Sequence, residues 1–438
     1  MNKMPQCLFA DGAIEANGRL TTAIDPFPSF SFPGGGGVTE TVFAQNGDFF
    51  KDAGGAPDVI TGLGFTPKAL ILYTTGTFAD EWAGALLQSI GVVTPVSQHN
   101  VRFLERNLFP TECRSATSSG NAIVRYSGTG ILFEGNAVLD ADGFTVTWTN
   151  ASAPGTKISY CALGGDGVDF EAGVFNQPVS PGIQSVPSSL ADADAAMFFT
   201  TGGTALGVET THVKFASGAA VKNGNKDFSF SISSESGVAT SVTRRLMSES
   251  SCIQVISGDG LSIESRANFN GFTPSGFDLD WVTTSGVASP TIYLAIKGGQ
   301  WDTFRIDTTS IAGPHNTVET LPFEPAFMTA QSISYPAGPN FDQIFNTARY
   351  SFSTSTKGNI FDGVTWSDRH NSNTSNNGAV AIVSTQRYAD LNNIYFGFAP
   401  TTDVQASIAG LIEDDGTLNL IWTVSDGIQR PVYLLIGA

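Results

Sequence analysis

Gly143-Phe144-Thr145-Val146-Thr147-Trp148 runs through a nine-residue connection, Thr149 to Lys157, into Ile158-Ser159-Tyr160-Cys161-Ala162-Leu163-Gly164-Gly165. The first stretch alternates. Phe144, Val146 and Trp148 point one way and Thr145 and Thr147 the other, the period-2 pattern of a strand with one buried face. The second is apolar almost throughout, as expected of a strand covered on both sides or packed at a domain junction. The pair recurs twice. Phe277-Asp278-Leu279-Asp280-Trp281 precedes Ile292-Tyr293-Leu294-Ala295-Ile296, and Leu418-Asn419-Leu420-Ile421-Trp422 precedes Val432-Tyr433-Leu434-Leu435-Ile436-Gly437. Connections of nine, ten and nine residues suggest hairpins with long exposed loops.

The tryptophans are 133 and 141 positions apart, the spacing of a whole domain and not of a solenoid repeat. A second signature opens each unit: Ile60 to Gly76, a turn and an apolar strand, returns at Asp194 to Gly202 and at Glu324 to Thr329, aligning Leu70, Met197 and Phe327. Head and tail recur together, so the chain reads as one domain in three copies, residues 38–165, 166–299 and 300–438. Phe144, Trp148, Tyr160, Phe277, Trp281, Tyr293, Leu418, Trp422 and Tyr433 form the core signature of the repeat. The expected fold is all-β: three tandem antiparallel β-sandwiches, jelly-roll-like, each large enough to bury a core without staples.

Residues 1–37 match no copy and end in Pro33-Gly34-Gly35-Gly36-Gly37. Phe27, Phe30 and Phe32, set among prolines, give an extended aromatic arm too short to make its own core. Such an arm needs a surface to lie on, and a neighbouring subunit is the expected one, with Phe27, Phe30 and Phe32 as the anchor.

A net charge of −18 opposes binding to nucleic acid or to anionic membranes, and only 14% of residues are charged, which disfavours long solvated helices. Cys7, Cys113, Cys161 and Cys252 fall at unrelated spacings, and Cys161 aligns with Leu294 and Leu434, as a small core residue would. The N-terminus lacks the apolar run of a secretory signal and no stretch reaches the roughly 20 apolar residues of a membrane span, so synthesis and folding in a cytoplasm are expected. His99, His212, His315 and His370 lie outside any zinc-binding context, and no nucleophile elbow or P-loop is present. Gly62-Leu63-Gly64 leads into a strand, so it reads as a turn and not as a dinucleotide fingerprint. Asp140-Ala141-Asp142-Gly143 and Glu413 to Gly416 invite calcium or paired carboxylates, but the second copy has Pro274-Ser275-Gly276 there; the shared glycine marks a hairpin turn. The tryptophans sit on the buried face and read as core, not as sugar-stacking platforms. No catalytic residue, cofactor or metal ligand is expected.

The Gly64 to Ile71 opening, Gly-Phe-Thr-Pro-Lys-Ala-Leu-Ile, together with the closing segment 143–165 resembles β-rich structural proteins of tailed bacteriophages, including those displayed on the virion surface. The resemblance implies a non-enzymatic virion protein, a head decoration or fibre, made in the host cytoplasm. Its partners would be capsid, neck or tail proteins met through the arm, in many copies per assembly. The alternative is a lectin-like receptor module whose loops read a host surface glycan.

Overall fold

The computed structural model describes residues 40–438 except 53, 75–84, 107–112, 128–129, 150–154, 238–241, 308–314, 324, 334–341, 347, 357–361, 369–390, 397–403, 410–416 and 425–430. The anchor candidates Phe27, Phe30 and Phe32 lie outside the described residues, as do Cys7 and His370. Thr39–Ala438 is one compact unit.

The first copy holds β1 (Thr41–Phe50), β2 (Asp58–Thr61), β3 (Ala69–Thr74), β4 (Ala85–Thr94), β5 (Ser97–Arg106), β6 (Arg114–Ser119), β7 (Ile123–Ser127), β8 (Gly130–Asp140), β9 (Gly143–Thr149) and β10 (Lys157–Asp166). The second holds β11 (Asp169–Asn176), β12 (Gly182–Pro187), β13 (Ala195–Thr200), β14 (Val213–Val221), β15 (Lys226–Ser234), β16 (Thr243–Ser248), β17 (Ile253–Ile256), β18 (Ile263–Thr273), β19 (Gly276–Thr283) and β20 (Pro290–Lys297). The third holds β21 (Trp301–Asp307), β22 (His315–Thr320), β23 (Phe327–Ser332), β24 (Phe345–Asn346), β25 (Ala348–Thr356), β26 (Asp362–Asp368), β27 (Leu391–Phe396), β28 (Val404–Ala409), β29 (Thr417–Val424) and β30 (Pro431–Gly437).

Each copy folds into two antiparallel sheets. In the first, the inner sheet runs β1-β10-β3-β4-β5-β6 and the outer β2-β9-β8-β7; the second repeats this as β11-β20-β13-β14-β15-β16 and β12-β19-β18-β17. The third gives β21-β30-β23-β25-β26 and β22-β29-β28-β27, and the segment between β26 and β27 lies outside the described residues. The chain is therefore all-β, with sandwich packing. First pairs with last and second with second-last, the wrapping of a jelly roll, while the remaining strands run as two meanders.

The connection from β9 to β10 is not a hairpin. The two strands belong to different sheets, and the same holds for β19 and β20 and for β29 and β30. The reason lies in their side chains. β9 has one apolar face and suits an outer sheet, whereas β10, β20 and β30 are buried along nearly their whole length and fit only where both faces are covered.

The two cover layers differ. Between the sheets of the first copy lie Leu72, Phe133, Phe144, Trp148 and Tyr160, and between those of the second Phe198, Phe277, Leu279, Trp281 and Tyr293. The opposite faces of all three inner sheets meet in a single further core that takes Ile71, Tyr73 and Phe103 from the first copy, Met197, Phe199 and Phe215 from the second, and Phe327, Tyr350 and Phe352 from the third. Two sets of rings span it, each with one member per copy. Phe352 lies 5.5 Å from Tyr73 and 6.4 Å from Phe199; Phe215 lies 5.2 Å from both Phe103 and Tyr350. Equivalent strands recur at the junctions, with β4 and β5 against β11, β14 and β15 against β21, and β25 and β26 against β1. The three copies thus close into a ring and are not beads on a string. Hydrogen bonds cross each junction: Thr117 with Thr201 at 2.9 Å, Ser217 Oγ to Gln331 Oε1 at 2.6 Å, and Thr356 Oγ1 to Asn46 Oδ1 at 2.7 Å.

Backbone register makes the tryptophans equivalent. Each faces a small residue across the sheet: Trp148 opposite Gly135, Trp281 opposite Ala267, Trp422 opposite Ala406. Both described indoles are buried, and each donates to the same place on the second strand, Trp148 to Asp58 at 2.7 Å and Trp281 to Gln184 at 2.9 Å. A Cβ at position 135 would stand 2.5 Å from the Trp148 ring, so the ring requires glycine there.

The last strand behaves otherwise. Tyr160 pairs with Leu72 and Tyr293 with Phe198, and the matching residue of β30 is Leu434, paired with Ala330. Tyr433 is one position off and faces the shared core, where its ring sits 5.2 Å from Phe228 and 5.7 Å from Phe230. The residue matching Cys161 is by the same register Leu435, not Leu434, and Leu70 matches Ala196 and Met328 instead of Met197 and Phe327. Facing partners compensate for the change. Gly47 and Gly173 lie opposite Tyr160 and Tyr293, and Phe304 lies opposite Leu434.

Because Tyr433 and Leu435 belong to the shared core, deleting Tyr433 to Ala438 should abolish the cooperative melt of all three copies. Calorimetry that shows two copies melting as in the full chain would contradict the shared core.

Candidate functional site at the junction of the second and third copies

Most residues that drew attention in the sequence are structural. Phe144 and Tyr160 stack edge to face at 5.0 Å, Phe277 and Tyr293 at 5.2 Å, and Leu418 and Trp422 pair through backbone with Glu319 and His315. Asp142 is no cation ligand. Its carboxylate accepts from the amides of Gly62 at 3.2 Å and Gly64 at 2.7 Å, closing that turn, while Asp140 accepts from Thr145 at 2.8 Å. Glu171 is likewise occupied, by Tyr293, Ser188 and Ser189. Cys113, Cys161 and Cys252 are buried and form no disulfide, and among the described residues no His, Cys, Asp and Glu group has a metal-binding arrangement.

The junctions themselves differ. Between β4 and β5 only Pro95 and Val96 intervene, and Ser97 Oγ donates to the Ala172 carbonyl of the next copy at 2.5 Å. Between β14 and β15 stands a 3-10 turn, Asn223–Asn225, in which Gly224 (φ 74°) and Asn225 (φ 49°) are left-handed. This turn carries Lys226 to Asp302 of the third copy, with Nζ at 2.6 and 2.9 Å from the two carboxylate oxygens. β24 adds two residues to the second copy's sheet, Asn346 opposite Arg244 and Phe345 opposite Arg245, and Arg266 reaches Asp342 at 3.2 Å.

A cleft of about 450 Å³ opens here. Asp227 and Asn268 line it from the strands of the second copy, Glu249 from the turn after β16, and Arg305 and Tyr433 from the third copy. Glu249 accepts from the Tyr433 hydroxyl and from Arg305 Nη1 at 2.7 Å, and Arg305 also holds Asp307 at 2.9 and 3.1 Å. Tyr433 can do this only because it lies one position out of step with Tyr160 and Tyr293. Asp227 Oδ2 accepts from the Phe269 amide at 2.8 Å. Burial pushes its carboxyl up to about 6, against the pull of that amide and of Arg266. A smaller cleft of about 410 Å³ lies beyond the Lys226–Asp302 pair, walled by Lys222, Asp194 and Trp301.

None of Asp227, Glu249, Asn268 or Arg305 belongs to a sequence motif. They come from separate strands of two copies, and only the ring closure brings them together. The one available signal was Tyr433 itself, followed by Leu434-Leu435 where the first copy has Cys161-Ala162.

No family model and no curated protein matches the chain. Among solved structures, β-fructofuranosidase from Schwanniomyces occidentalis complexed with fructosyl-erythritol aligns at 8% identity over 91% of this chain and 96% of that chain, with a TM-score of 0.14. A likeness of that size carries no argument about fold or activity.

Asp227 sets a pH signature. Its carboxyl rises from 3.8 to about 6 on folding, so the folded state holds the proton more tightly and stability falls as pH climbs through that window. Above it the buried charge costs roughly 3 kcal/mol. Asp227→Asn should therefore melt like the parent near pH 4 and above it at pH 7. A gap between the two melting temperatures that does not vary with pH would show that Asp227 ionises normally.

Proposed function

We propose that this protein is a non-enzymatic structural component of a tailed-bacteriophage virion, a head decoration or fibre protein that docks through residues 1–37. The closed ring of three fused copies carries this reading. A trimer made from one chain cannot dissociate on dilution, and it offers the same outer sheet three times, as a repeated attachment or display surface requires. The resemblance of segments 64–71 and 143–165 to virion proteins points the same way, as does the acidic balance of −18, which suits a protein held at high local density without self-association. The outer sheets carry isolated exposed apolar side chains, Val59, Val138 and Ile183 among them, available to neighbours in an assembly.

Arm deletion tests the docking role. A variant beginning at Val38 should be soluble and melt as the full chain does, yet fail to join particles that lack the wild-type protein. Incorporation at the normal copy number would refute the anchor, and a lowered melting temperature would place the arm on its own first copy.

A further inference from the structure

We propose that the cleft between the second and third copies is a binding site for a neutral oligosaccharide, a function beyond the structural role above and independent of it. The argument begins with charge. Lys226 and Arg305 stand in the same wall as Asp227 and Glu249, so the cleft has no net preference for either sign of ion. Both cations are already engaged, Lys226 with Asp302 and Arg305 with Asp307 and Glu249, so neither is available to grip a phosphate or sulfate.

What remains for a ligand is hydrogen bonding. Asp227 uses Oδ2 on the Phe269 amide and keeps Oδ1; Asn268 accepts from Ser251 through Oδ1 at 3.0 Å and keeps its amide donors. An acceptor and a planar amide donor lining one cleft suit the hydroxyls of a sugar, which both donate and accept. The volume, about 450 Å³, lies within the range of small-ligand sites. The site is rigid as well. The Lys226–Asp302 and Arg266–Asp342 pairs fasten both copies beside it, so little ordering is needed on binding. At the first junction the corresponding connection is the tight Pro95-Val96 turn, and Ser97 bonds to Ala172 there, so the two junctions differ in shape.

The test uses the full chain, fluorescently labelled, on an array of neutral and sialylated oligosaccharides at about 100 µM protein. The strongest neutral glycan is then titrated by calorimetry into wild type, Asn268→Ala, Glu249→Gln and, as a surface control on the first copy, Val138→Thr. The expected result is neutral-glycan binding that weakens roughly tenfold or more in both cleft variants and is unchanged in the control. Melting curves decide which of the two cleft variants is folded and therefore interpretable. The proposal is overturned if no neutral glycan binds, if only sialylated glycans bind, or if the folded cleft variants bind as wild type does.

Discussion

The central strands of every inner sheet, β3 and β10, β13 and β20, β23 and β30, are buried on both faces, and that constraint organises the rest. In the first and second copies one face meets the outer sheet of the same copy; in all three the other face meets the two remaining inner sheets around Tyr73, Phe199 and Phe352 and around Phe103, Phe215 and Tyr350. No copy can leave the ring without exposing a sheet of apolar side chains, so the stability of each belongs to all three. The shared core is not purely apolar. Ser217, Gln331 and the Tyr350 hydroxyl form a buried cluster, and burial pushes the pKa of that phenol up and keeps it neutral. Such a group is costly to leave unpaired, so it favours one rotational setting of the copies over its neighbours.

How much of this was legible depended on whether a strand had one wet face. β9 and β19 alternate, and the reading of Phe144, Val146 and Trp148 as inward and Thr145 and Thr147 as outward agrees with their burial. β10, β20 and β30 have no wet face. A one-residue slip in aligning such strands changes nothing in the apolar pattern, which is why the sequence sets Tyr433 against Tyr160 although Leu434 holds that place. The same lack of polarity hid the architecture. A strand covered twice could be a sheet centre or a domain junction, and here it is both. The arch from β9 to β10 was misread as a hairpin because a loop of nine residues allows either.

The cleft was beyond sequence reading for a different reason. Its residues are drawn from β15, β18, β21, β30 and the turn after β16, with no fixed spacing between them, and the counterparts of two of them in the first copy, Gln98 for Asp227 and Asn136 for Asn268, emerge only from backbone register. Divergence among copies is where the information lay. The exchange of a Gly–Tyr pair for a Phe–Leu pair at β21 and β30 keeps the volume between the sheets while freeing Tyr433 to turn inward and meet Glu249.

The ring closure also dictates an order of events on the ribosome. Asn46 bonds to Thr354 and Thr356, some three hundred residues downstream, and β30 must be in place between β21 and β23 before the third inner sheet is complete. Until then the first two copies, already translated, keep the sides of Ile71, Tyr73 and Met197 that face the ring centre in water. A nascent chain of this design carries a sticky surface for most of its synthesis, and contacts so distant in sequence form slowly. Its acidity then acquires a second use: like charges on neighbouring unfinished chains hold them apart while each waits for its own third copy.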